Sequence, residues 1–196
     1  MASEFLTYFR LGVGHIADLR GYDHILFIVA LTAGYAVRDW RRLLWLVTAF
    51  TLGHSFTLAL ATLDLVRVSS DLIEVLIAVT IVATGVYGFM SRRQDATSAA
   101  PRRQQILYAM AGGFGLIHGL GFSTFLRSVL GGEESIVWPL LAFNVGLETG
   151  QLAIVLGILL VGALVCDVGG VRRRYWAMGL SVMTMLMGVR MIVDRV

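Results

Sequence analysis

Long apolar runs constrain this chain more than any other feature. Six stretches approach the roughly 20 residues an α-helix needs to cross a bilayer. They run about Tyr22–Val37, Leu43–Leu63, Leu72–Met90, Ile106–Leu126, Ile136–Cys166 and Tyr175–Val193. Composition agrees: 57% of residues are hydrophobic and 15% charged, where a soluble domain carries about 25% charge. The expected fold is therefore all-α: one integral membrane domain over residues 1–196, a polytopic bundle of six transmembrane helices. Residues 1–13 mix Glu4 and Arg10 with apolar side chains, without a basic leader and long apolar core. An amphipathic segment lying at the interface is expected there.

Arginine placement predicts the orientation. The loops after the first, third and fifth stretches carry three, four and three arginines. Those after the second and fourth carry only Arg67 and Arg127, with acids beside them; Glu133 and Glu134 are the acids of the second. Basic loops stay on the cytoplasmic side, so both termini are expected outside. The pI near 9.4 then reflects topology signals and contact with lipid head groups, not nucleic acid.

Several chemistries are excluded by residue type. All 16 basic residues are arginine, which rules out lysine nucleophiles and Schiff bases. One cysteine, Cys166, permits no intrachain disulfide. Neither a Walker loop nor a GxSxG elbow occurs.

What remains is sparse and patterned. His54 is the only side chain with a formal charge or a pKa near neutrality between Arg42 and Asp64, His118 between Arg103 and Arg127, and Glu148 between Glu134 and Asp167. A charged group at mid-bilayer costs at least ~2.5–3.5 kcal/mol on insertion scales. Three helices accepting such groups at similar depth are expected to share one pocket. The stretch GHIADLRGYDHILF, residues 14–27, adds His15, Asp23 and His24 at the outer face. Adjacent on a helix, Asp23 and His24 point about 100° apart and cannot both face one small ion without distortion.

Helical spacing places Thr51, Ser55 and Thr57 around His54, and Asn144 and Gln151 on the face of Glu148. Imidazole plus carboxylate suits zinc, nickel, cobalt, copper or iron better than calcium or magnesium. The expected metal ligands are His24, His54, His118, Glu148, Asp23 and His15, with His15 ranked last as a gate or auxiliary ligand. Asn144, Gln151, Ser55 and Glu74 are the candidates to orient them by hydrogen bonds; Glu74 also suits a helix N-terminus.

The blocks GHIADLRGYDHILFIVAL, FTLGHSFTLALATL, IEVLIAVTIVATG, GGFGLIHGLGFSTFL and LLAFNVGLETGQLAI resemble, in order, the HupE/UreJ family of bacterial membrane proteins. The match is closer to the branch with GxDHxLF than to the hydrogenase-type branch with HPxxGxDH. Seven residues separate His15 from Asp23, and no proline follows His15. Thr80 stands where that resemblance leads one to expect serine, and Tyr87-Gly88 where an acidic-amide pair is common. Members are associated with hydrogenase and urease gene clusters, and some are regarded as nickel or cobalt permeases. The resemblance implies a multi-pass protein of the bacterial inner membrane. It implies roles in handling nickel, cobalt or zinc for His15, Asp23, His24, His54, His118 and Glu148. Two functions stay open on the residues: a divalent-metal permease, and an intramembrane zinc-dependent hydrolase acting on a lipid or membrane-anchored peptide. In the second, Glu148 or Asp23 would activate a metal-bound water.

Overall fold

A computed structural model describes residues 2–19, 21–93, 100–130 and 136–195. All secondary structure among them is helical: α1 (Ala2–Ile16), α2 (Asp23–Thr32), α3 (Trp40–Thr62), α4 (Ser70–Arg93), α5 (Ala100–Gly121), α6 (Ser123–Leu130), α7 (Val137–Ala163) and α8 (Arg173–Val193). A short 3₁₀ turn precedes α3, and a π turn, Leu164–Val168, extends α7. The acidic loop with Glu133 and Glu134 lies outside the described residues.

Four segments are long and apolar enough to cross a membrane: Val37–Thr62, Ser70–Ser91, Val137–Val168 and Arg173–Val193. The other two expected spans differ from the sequence reading. The first contains only the ten-residue α2, about 15 Å at 1.5 Å per residue, half a hydrocarbon core. The fourth lies in α5, which is long enough but opens on Pro101, two arginines and two glutamines. Nor is the N-terminal segment a detached interfacial helix. It docks along the first half of α7, burying Tyr8 and Ile16.

Three helix pairs make the bundle: α3 with α5, α1 with α7, and α4 with α8; α2 packs against α4, α7 and α8. Small residues set the spacing, as expected where lipid gives helices little hydrophobic drive to associate. A Cβ on Gly115 would strike the Phe50 carbonyl, and one on Gly119 the His54 carbonyl, so α3 and α5 run backbone to backbone in parallel. A Cβ on Gly146 would strike the Phe9 carbonyl, and one on Gly150 would meet the Val13 backbone, which sets α1 parallel to α7.

Polarity is inverted relative to a water-soluble domain. Leu52, Phe56, Leu156, Leu160 and Leu186 are exposed, whereas His24, His54, His118, Thr80, Thr84, Gln151, Ser181 and Thr184 are buried. Exposed apolar surface on that scale marks contact with a partner or a membrane. Within an otherwise apolar interior these polar side chains are enclosed, the histidines among them.

Candidate metal centre

The break between α1 and α2 builds the site. His15 sits in the last turn of α1, and Asp23 and His24 open α2. Their ring centroids are 4.7 Å apart. α3 contributes His54, 6.1 Å from both His15 and His24. α5 contributes His118, 4.9 Å from His24. Four helices thus deliver four imidazoles to one place. His54 and His118 are fully enclosed and His24 is 4% exposed.

Two rings have their tautomers fixed by neighbours. The Asp23 carboxylate lies 2.9 Å from His24 Nδ1 and also accepts the His24 backbone N–H at 2.8 Å. A carboxylate accepts only, so Nδ1 carries the proton and Nε2 keeps its lone pair. Thr80 Oγ1 spends its one proton on the Ile77 carbonyl at 2.7 Å, so it can only accept from His118 Nε2, 3.1 Å away. His118 Nδ1 therefore keeps its lone pair.

Other ring nitrogens meet no protein partner. His15 Nε2, His24 Nε2, both nitrogens of His54 and His118 Nδ1 are buried with no hydrogen-bond partner. An unsatisfied buried polar atom costs about 1–3 kcal/mol, which favours a ligand where several gather. Nitrogens of His15, His24 and His54 can lie within 4.8 Å of one another. A tetrahedral ion with bonds near 2.1 Å holds its ligands roughly 3.4 Å apart, within reach of small ring movements. The donor set fits a borderline transition metal, with Asp23 in the carboxylate–histidine arrangement that orients a ligand ring.

Aromatic rings wall the cluster. Phe122 stands 3.9 Å from His15, Phe50 5.2 Å and Phe27 5.4 Å from His118, and Phe143 6.5 Å from His54, centroid to centroid. They exclude water, which strengthens any charge interaction inside.

The remaining sequence candidates lie elsewhere. Glu148 is outside the converging set; it is half-buried at the α3–α7 contact and accepts from Thr48 Oγ1 at 2.6 Å. Beside it Gln151 accepts from Thr51 at 2.9 Å. Ser55 donates to the Thr51 carbonyl, and Asn144 to the Leu140 carbonyl. None of these four bonds reaches an imidazole. Glu74 is exposed and ion-paired with Arg195 at 3.3 Å. His15, ranked last from sequence, is inside the cluster. Thr80 as an orienting residue, Thr48 and the phenylalanine wall escape sequence reasoning. Only the single hydroxyl in the outer half of an apolar stretch hinted at Thr80.

Fold and site together define a helical membrane protein with a histidine cluster buried in its core. The chain belongs to the HupE/UreJ family: a family model described as HupE / UreJ protein matches residues 1–195. No curated protein and no solved structure is significantly similar to it.

Proposed function

We propose that the chain is a bacterial inner-membrane permease for a divalent transition-metal cation of the nickel or cobalt type. The observation that carries this is the set of unpartnered, buried imidazole nitrogens on four converging helices. Family membership supports it, given the association of such proteins with nickel enzymes. His15, His24, His54 and His118 would hold the cation in transit, with Asp23 and Thr80 setting the orientation of two rings. Transport needs binding weak enough to release, and four neutral ligands with no carboxylate aimed at the ion suit that. The inner half of the bundle also offers more than its sequence suggests. Thr51 with Gln151 and Thr48 with Glu148 continue the face of α3 that carries His54. Both termini outside, as the arginines predict, would place the histidine break nearer the outer face.

A second reading has one observation in its favour. Three histidines, one oriented by a carboxylate, resemble the open coordination of a catalytic zinc. The test is entry of Ni²⁺, Co²⁺ and Zn²⁺ into liposomes holding the purified protein, with metal content measured in parallel. Saturable entry that His54→Ala abolishes supports the permease. Tight stoichiometric metal without entry would overturn it and favour the hydrolase.

A further inference from the structure

Beside the histidine cluster lies a cavity of about 120 Å³ lined by Gly21, Tyr22, Asp23, Met191, Asp194 and Arg195. We infer that this cavity is the port through which a divalent cation reaches the histidines, and that Arg195 is its electrostatic gate. The inference rests on the metal-site reading and extends it to how the site is loaded.

The geometry assigns the connection to Asp23. Its carboxylate lines the cavity and also touches His24 Nδ1 at 2.9 Å. The Asp23 side chain is 16% exposed, against 5% for His24. Of the cluster and its carboxylate, Asp23 alone borders this cavity. Asp23 touches the Nδ1 edge of the His24 ring, and the unpartnered Nε2 lies on the ring's other side, toward the cluster.

Charge and donor type suit such a passenger. Two acidic residues, Asp23 and Asp194, line the cavity together with Met191, a residue with a soft donor atom. Among the described residues that line the cavity, one is a cation. Arg195 lines the cavity, pairs with Glu74 at 3.3 Å through Nε and donates to the Glu74 backbone carbonyl. Asp194 is further tied to Arg190 at 3.5 Å. These bonds draw the end of α8 toward the start of α4 and hold a guanidinium at the mouth. An arginine there repels a dication while the carboxylates attract it, so the rate of entry is set by their difference. Opening the port needs only that the Arg195 side chain leave the mouth, breaking its bonds to Glu74.

Stopped-flow mixing of the purified, chelator-treated full-length protein with Co²⁺, read by its visible ligand-field absorption, tests this. Arg195→Gln should raise the association rate about tenfold and steepen its dependence on salt. Asp194→Asn should lower the rate several-fold. Both variants should still take up cobalt to the wild-type stoichiometry, since neither residue touches an imidazole. Unchanged association rates in both variants, with cobalt bound, would overturn the port and leave the metal centre standing. Failure of the wild-type protein to bind cobalt would instead overturn the metal centre, and the port with it. Asp194→Asn decides the matter if Arg195→Gln does not fold.

Discussion

At the scale of single residues, metal binding would depend on which nitrogen of each ring holds the proton. Thr80 and Asp23 hydrogen-bond His118 and His24, and on the proposed reading they would act at second hand, by fixing the tautomers that leave a lone pair for the ion. Removing such partners typically lowers metal affinity about 10–100-fold. Thr80→Val and Asp23→Asn should each do so in calorimetric titration with Ni²⁺, without changing the stoichiometry. Wild-type affinity in both would contradict the orienting roles. Glu148→Gln should behave differently. A glutamine oxygen can still accept from Thr48, and the carboxylate lies outside the imidazole group, so nickel affinity should be unchanged in the same titration. The sequence marked His54, His118 and Glu148 alike, because each is a lone ionisable group in an apolar stretch. That pattern gives depth along a helix but not rotation about it. Rotation is what turns His54 and His118 inward together and leaves Glu148 facing Thr48.

Among the elements, α1 carries the least expected role. Its sequence reads as an interfacial helix, since Glu4 and Arg10 stand among apolar residues. Yet Gly12 and Gly146 let it lie against α7 with backbones touching, and that docking brings His15 to His24. The prediction is made at Gly146. A leucine there must displace the Phe9 carbonyl, and overpacking of this kind costs about 1–3 kcal/mol. Gly146→Leu should therefore lower the thermal unfolding temperature in detergent and weaken nickel binding as much as His15→Ala does. Wild-type binding by Gly146→Leu would separate α1 from the site. The break after Ile16 was legible only in part. Hydropathy shows an apolar run from Tyr22, but α2 ends after Thr32, and no periodicity distinguishes a spanning helix from a short buried one. Helices α3, α4, α7 and α8 were legible, because length and apolarity suffice there.

For the whole molecule, an apolar outer surface of leucine, valine and phenylalanine surrounds an interior that encloses hydroxyls, an amide and imidazoles among apolar side chains. Arginines at alternate loops predict its direction in the membrane. Single cysteines placed at residues 3 and 195 in a Cys166→Ser background should react with an impermeant maleimide added outside intact cells. One at residue 103 should react only after lysis. The reverse labelling would invert the bundle and put the α1–α2 break on the cytoplasmic side. Composition and arginine spacing are the sequence signals from which this topology is predicted. The meeting of α1, α2, α3 and α5 does not follow from them, because it depends on glycine contacts between helices far apart in the chain. The central claim, that these helices meet in order to hold a metal ion, is open to one direct measurement. X-ray absorption of the nickel- or cobalt-loaded protein reads the ligands themselves. It should give at least three imidazole nitrogens near 2.0–2.1 Å, one fewer in His54→Ala. A spectrum of oxygen ligands alone, unchanged in that variant, would contradict the account.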